Sequence, residues 1–460
     1  MFSRRNFLKT ASCGFGYMAF AGLSTEQAAK ASTYQNPLAP KTPHFPARAK
    51  RIIFLCMRGG PTHVDTFDYK PALYRDHGRS VSVQGTERGN GRTLLKSPWR
   101  FIPSGQSGLP ISELFPHLSH QADDICLLNS LNTSVPNHPQ SFLMMHTGEF
   151  RFTRPSMGAW VMYGLGSENQ NLPGYITVSP PADLGGAQNF GNAFLPASYQ
   201  ATRIGEQGTA VTQARVGNLS SPLSQSAQRR QLDLLQEMNQ DLLQRSQVNP
   251  GVEGVINSYE LGFRMQTSLP ELMDISRESQ RTKDQYGIGG GPTDDFGRQC
   301  LMARRLSEAG VRFVEVCHNA NWDTHGGLTT RVPQLCRQID QPMGALLADL
   351  KSRGMLEDTL VMWGGEFGRT PHGQGNDGRD HNAAGFSMWL AGGGVKGGIR
   401  YGATDEHGIR AVVNPMHHHD LHATVLHLMG IDHQRLVYRY GGRDYSLTDI
   451  HGNVATGIMA

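Results

Sequence analysis

The chain has 460 residues, 38% of them hydrophobic and 54 of them glycine. That composition excludes a disordered or collagenous chain and fits a large, loop-rich globular domain, a size that α/β domains reach with insertions. The formal charge of +4 owes four basic residues and one acid to residues 1–31, so the remainder carries +1 and has no basic surplus for nucleic acid.

The first segment, "SRRNFLKTASCGFGYMAFAGLSTEQAAKAS", places the twin arginine Arg4 and Arg5 before a short apolar stretch and an "AKA" site. It reads as a twin-arginine export signal cleaved after Ala31, with a periplasmic or extracellular destination. The apolar stretch is too short and too glycine-rich for a bilayer, which needs about 20 apolar residues, so no transmembrane segment is expected. Residues 32–50 read as an N-terminal extension and 51–460 as one domain.

Near-continuous apolar runs follow in order: "RIIFLC" (51–56), "DICLLNSL" (124–131), "VRFVEVC" (311–317), "TLVMW" (359–363) and "FSMWLAG" (386–392). Runs of this kind are strands buried on both faces. Between them, "QPMGALLADLKSRG" sets Met343, Leu346, Leu347 and Leu350 on one helical face, and "DLHATVLHLMG" does the same with Leu421, Val425 and Leu428. The alternation predicts a parallel sheet with helices on both sides. Residues 184–224 lack a clean period, and 225–285 are helical, polar and interrupted by Pro250 and Pro270. Together, 165–290 read as an insertion on one sheet edge. The cysteines Cys56, Cys126, Cys300, Cys317 and Cys336 are scattered without a CxxC, so no disulfide framework is expected.

Open α/β sheets bind ligands beyond the carboxyl ends of their strands. Four predicted strand ends carry chemistry there. The first delivers His63, Asp65 and Asp68; the second Thr133, Ser134 and His138; the third His318, Asp323 and His325; the fourth Glu366, Arg369, Asp380 and His381. Twelve of the nineteen histidines fall after residue 316. Imidazole with carboxylate suits zinc, manganese or iron. In an extended segment, Asp323 and His325 share a side. The adjacent Asp380 and His381 diverge, a spacing that can serve two metals about 4 Å apart. Arg369 has the fork to hold a phosphate or sulfate oxygen. Each motif also has a plain alternative, a hydrogen-bonded turn, an ion pair or a solvated helix start with Asp420 as N-cap. Convergence of four strand ends favours a metal site.

The segments "FLCMRGGPTHVDTFDYKP", "GGEFGRTP", "GRDHN" and "HHHDLHATVLHLMGIDH" resemble the bacterial family known as domain of unknown function 1501, along nearly the whole chain. That family is similar in turn to the alkaline phosphatase and sulfatase superfamily. "TLVMWGGEFG" resembles the strand ending in a metal-binding Asp-His-Gly, and "HPQSFLMMHTG" the nucleophile segment. The resemblance implies an α/β fold, an alkaline-phosphatase-like three-layer αβα sandwich with a mostly parallel sheet. It implies that Asp323 and His325 hold one metal, that Glu366 stands in for a metal-binding Asp, and that His381 with Asp380 completes the other. Asp65 or Asp68 would supply the acid after the first strand, with His417 and His419 as further candidates.

The chain departs from the pattern at the nucleophile. His138 stands where a sulfatase has Cys or Ser, and Ser134, Thr133 and Ser141 are the nearby hydroxyls. His138 would form a phosphohistidine or bind metal, or a metal-activated water would attack directly. The expected function is an exported metal-dependent hydrolase of phosphate or sulfate esters, small-molecule or polysaccharide. The metal would be one or two zinc ions, with manganese, calcium or magnesium open. The alternatives are a non-catalytic metal- or anion-binding protein on the same fold, and a scaffold whose acids and histidines only hydrogen-bond.

Overall fold

The computed structural model describes residues 36–81, 92–217, 219, 223–246, 250–375 and 377–460. The expected export signal lies outside these residues. In chain order the elements that build the site are β1 (Arg51–Cys56), β2 (Ile125–Asn132), α1 (His138–Thr147), α2 (Met157–Leu165), β3 (Tyr175–Val178) and β4 (Thr202–Ile204). Then come α3 (Gln225–Ser246), α4 (Pro250–Met273), α5 (Asp294–Glu308), β5 (Phe313–Cys317), α6 (Leu328–Ser352) and β6 (Thr359–Gly364). The chain finishes with β7 (Gly368–Gly373), β8 (Arg379–Asn382), β9 (Phe386–Ala391), β10 (Ile399–Tyr401), β11 (Met416–His417) and α7 (His418–Leu428).

Nine strands form one sheet in the order β10-β2-β9-β6-β1-β5-β3-β4, with β11 also on β2. Every pairing is parallel except those of β9 with β6 and β2. The apolar runs of β1, β6 and β9 are buried along their whole length apart from Arg51, because side chains of alternate residues enter different layers. Ile53 and Leu55 of β1 pack with α5 and α6 on one face, and Ile52, Phe54 and Cys56 pack with α1, α2 and α7 on the other. This is the three-layer αβα arrangement with a mostly parallel sheet.

The 165–290 region, expected as a helical and loop insertion on one sheet edge, also holds strands. It contributes β3 and β4, which extend the sheet edge beyond β5, before α3 and α4. β4 has only three residues, TRI, too short to give a readable period. No helix among the described residues is long and apolar enough to cross a membrane. The five described cysteines are all buried and free.

The antiparallel strand shapes the rim. β6 ends at the carboxyl edge, and β9 re-enters the sheet from that edge running the other way. The residues between them therefore stay above the edge, where β7 and β8 pair as a hairpin. That hairpin carries Arg369 and His381 opposite each other in register.

Candidate metal centre

His138, Asp323, His325 and His381 meet at the carboxyl rim, each offering a ligand atom within 4.8 Å of the others. The loop after β2 opens α1 at His138, the loop after β5 carries Asp323 and His325, and β8 carries His381. Asn137 caps α1 by accepting from the Gln140 N–H, which fixes where His138 leaves the helix.

The tautomers follow from the partners. His138 Nδ1 lies 2.6 Å from Glu366 Oε1, and His381 Nδ1 lies 2.7 Å from the Pro136 carbonyl. His325 Nδ1 is bonded to Gln374 Oε1. All three partners are acceptors, so each Nδ1 carries the proton and each Nε2 keeps its lone pair. Those three Nε2 atoms face Asp323 Oδ1 at 3.5, 3.1 and 3.7 Å for His138, His325 and His381. The Nε2 atoms of His325 and His381 are 2.9 Å apart. His138 Nε2 is buried with no hydrogen-bond partner. Nε2 atoms that converge on a carboxylate call for positive charge among them, supplied by protons or by a bound ion, and the donor set fits a cation. Three imidazoles and one carboxylate suit zinc, manganese or iron better than the oxygen-seeking calcium and magnesium.

The electrostatics agree. Partial burial works to raise the Asp323 pKa, but the imidazoles of His138 and His381 and the Arg369 charge prevail and hold it well below the carboxylate range. Burial works to lower the His138 pKa, but Asp323 and Glu366 prevail and raise it. The site thus selects positive charge.

A second layer of contacts holds these groups. Arg369 is fully buried; its Nη2 donates to Asp323 Oδ1 at 2.6 Å and to the Gly59 carbonyl, and its Nε donates to the Gly60 carbonyl at 2.9 Å. Gly59 N–H donates to both oxygens of Glu366, at 2.9 and 3.1 Å. Phe367 packs its ring 4.7 Å from those of both His138 and His381.

Gly59 has a φ of +99°, and a Cβ there would sit 2.1 Å from Asn321 Oδ1 and 2.7 Å from the Asp323 N. Gly59→Ala therefore pushes the β1 and β5 loops apart while straining the backbone. We expect zinc affinity, measured by chelator competition, to fall by about 10- to 100-fold, the usual cost of disturbing the groups that orient metal ligands.

The other sequence candidates are placed differently. Glu366 is fully buried and serves His138 and Gly59 N–H, so it orients a ligand rather than joining the four. Arg369 is spent on Asp323 and the Gly59, Gly60 and Arg379 carbonyls, which leaves no fork for a substrate anion. Asp380 borders the cluster, with Oδ1 4.0 Å from His325 Nδ1, but its Oδ2 takes Arg92 Nη1 at 3.1 Å and its Oδ1 the His381 N–H at 2.9 Å. A second metal cluster at the rim is not present among the described residues. Asp65 forms a fully buried bidentate pair with Arg379, at 2.7 and 2.9 Å, and Asp68 pairs with Lys70 at 3.1 Å. Asp65 lies within a helical turn, His63–Thr66, and Asp68 just past it, which takes both off the β1 edge.

His417, not Asp420, is the N-cap of α7. Its Nδ1 accepts from the His419 N–H at 3.2 Å, while Asp420 returns a bond to the His417 N–H. His417 Nε2 therefore carries the proton and donates to Ser134 Oγ at 3.1 Å. It has no lone pair with which to deprotonate Ser134, so that pair is no nucleophile–base couple. His419 Nε2 is tied to the Gly148 carbonyl at 2.8 Å, and Ser141 Oγ donates to the Val135 carbonyl.

Several histidines outside the cluster are held neutral. Burial lowers the pKa of His372 and His417 to about 4 and of His422 to about 3. Folded values below the unfolded value mean that the unfolded chain takes up protons first as pH falls. Stability is then fully present above about pH 6.5 and declines as pH drops toward about 4. Urea midpoints at about pH 7 and about pH 4.5 check this, with the lower midpoint expected at the lower pH.

A model of the family described as "Protein of unknown function (DUF1501)" matches residues 49–459. No curated protein matches the sequence. Among solved structures, the chain is similar to a sulfatase from Pseudoalteromonas sp. at 14% identity, covering 84% of this chain and 68% of that one, with a TM-score of 0.36. It is similar to the lipoteichoic acid synthase LtaP from Listeria monocytogenes at 9% identity, covering 92% and 80%, with a TM-score of 0.39. It is also similar to TAB5 alkaline phosphatase at 11% identity, covering 79% and 96%, with a TM-score of 0.33.

Proposed function

We propose, for a chain that belongs to the DUF1501 family, an exported metal-dependent hydrolase of phosphate or sulfate esters with a single zinc-type site. The observation that carries the reading is the set of three imidazole Nε2 lone pairs gathered around Asp323 Oδ1. His138, Asp323, His325 and His381 would hold the ion. When bound, a divalent cation supplies Lewis acidity toward an anionic ester.

The chain's own groups do the rest. Glu366 keeps the proton of His138 on Nδ1, so that Nε2 stays a donor to the ion. Arg369 fixes Asp323 and offsets part of its charge. Phe367 covers one side of the imidazole pair and narrows water access. Ser134 is engaged with His417 Nε2 and Ser141 with the Val135 carbonyl, so the attack is assigned to water. The ester class rests on the resemblance of the strand-end motifs to the alkaline phosphatase superfamily. The export step rests on Arg4, Arg5 and the "AKA" site.

The test is a zinc titration of the purified protein by calorimetry, followed by turnover of a panel of aryl phosphates and aryl sulfates. One tight equivalent lost on His325→Ala, with turnover that disappears on chelation and returns with zinc, supports the reading. Turnover that persists in thoroughly metal-free protein sinks it. Tight zinc binding without turnover of any ester favours the second reading, a non-catalytic metal-binding protein, which His138 at the expected nucleophile position supports.

A further inference from the structure

Below the rim, a second group of metal-binding side chains lies inside the layer between the sheet and α1. β1 and β5 run parallel with Cys56 opposite Cys317. Glu315, two residues before Cys317, shares its face of the sheet. Cys56, Glu315 and Cys317 each offer a ligand atom within 4.8 Å of the others. α1 lowers His146 onto them, its Nε2 2.8 Å from Glu315 Oε1. None of the four is more than 3% exposed.

This group sits in an otherwise apolar layer with Phe54, Phe142, Met145 and Trp160. A carboxylate there costs several kcal/mol unless positive charge compensates it. The carboxylate also accepts a long bond from the Tyr175 hydroxyl at 3.3 Å and one from the Cys317 thiol at 3.4 Å, an ordinary length for sulfur. His146 Nδ1 donates to the Phe142 carbonyl at 2.8 Å, an arrangement that leaves Nε2 as the ligand nitrogen and orients the ring. An imidazole nitrogen and a carboxylate oxygen at 2.8 Å need a cation between or beside them. A proton meets that need for His146 and Glu315 alone. A thiophilic metal meets it for all four groups.

We propose that Cys56, Cys317, Glu315 and His146 form a closed structural site for zinc. Cys56, Glu315 and Cys317 supply three donors within reach of one ion, and His146, 2.8 Å from Glu315, stands where it would close the set; a set with no open position marks a structural rather than a catalytic ion. His146 follows His138 by eight residues on α1, about 12 Å at the helical rise. One helix is thereby pinned to the rim by His138 and to β1 and β5 by His146. With all four groups buried, the ion is enclosed as the chain folds and leaves more slowly than the rim ion.

The test uses the full chain carrying His325→Ala, which disables the rim site and leaves the interior one. Loaded with zinc and studied by X-ray absorption, this protein should show sulfur scatterers at about 2.3 Å. Loaded with cobalt(II), it should show thiolate-to-metal charge-transfer absorption that the added pair Cys56→Ser and Cys317→Ser abolishes. Bound zinc with only nitrogen and oxygen neighbours overturns the proposal. So does metal-free His325→Ala protein that unfolds at the same urea midpoint with and without zinc, or a disulfide between Cys56 and Cys317 found by peptide mapping. The absorption experiment stands even where the serine pair fails to fold. A failed rim site would appear instead as wild-type protein binding no more zinc than His325→Ala.

Discussion

His381→Ala is expected to remove the rim zinc and to lower kcat/KM for an aryl phosphate or sulfate by about a thousandfold. A Lewis acid at the reacting ester is worth several kcal/mol, and about 4 kcal/mol corresponds to three factors of ten. His381 is the ligand whose loss costs the fold least. Its ring is partly exposed on β8, and its neighbours there are Phe367, the two other imidazoles and the Pro136 carbonyl. Its removal leaves His325 Nε2 without its neighbour 2.9 Å away. Chemical denaturation of the metal-free variant should therefore match that of metal-free wild type within about 1 kcal/mol, the range of partly exposed substitutions away from buried networks. Asp380→Asn is the contrasting variant. Its carboxylate serves Arg92 and the His381 N–H rather than the cluster, so its effect should stay within about tenfold. Wild-type activity in His381→Ala protein that has lost the rim zinc would remove the rim from the chemistry.

How far the sequence could be read depends on the distance from a strand. "RIIFLC", "TLVMW" and "FSMWLAG" announced β1, β6 and β9 to within a residue, because strands buried on both faces must be continuous apolar runs. The rim location of His138, Asp323, His325 and His381 followed, since parallel strands deliver their following residues to one edge. Two things were hidden. β9 runs antiparallel, and an apolar run carries no sign of direction. Side-chain direction after a turn is hidden too. Asp65 follows β1 as closely as a ligand should, yet the turn His63–Thr66 points it at Arg379. Glu366 and Asp380 sit beside the four-residue cluster without belonging to it, because one residue of offset turns a side chain to another face. The interior group did leave a signal. Glu315 is a charge in the middle of "VRFVEVC", at a position where every neighbour is apolar, and a buried charge demands a partner. That partner, His146, lies 169 residues away in sequence, and no periodicity reports it.

The largest stability effect is expected at Asp65. Its carboxylate and the Arg379 guanidinium are both fully buried and joined by two bonds of 2.7 and 2.9 Å. Arg379 also donates to the Thr370 and Leu95 carbonyls, and Thr62 Oγ1 donates to Asp65. The pair thus joins the β1 loop to the hairpin that carries His381. Asp65→Ala leaves the guanidinium buried with no counter-charge, and breaking a buried pair from one side costs about 3–5 kcal/mol. Attraction between the charges is not the source of that loss, since forming the pair already removed both from water. Replacing both partners, Asp65→Leu with Arg379→Met, removes the unpaired charge and should recover most of the stability lost in the single variant. Urea unfolding of the wild type, the single variant and the double variant measures this directly. A single variant within about 1 kcal/mol of wild type, or a double variant less stable than the single, would show that the pair does not hold the hairpin to the rim. Zinc affinity gives the complementary reading. If the hairpin is positioned through Arg379, the single variant should bind rim zinc about 10- to 100-fold more weakly, although neither residue is one of the four ligands.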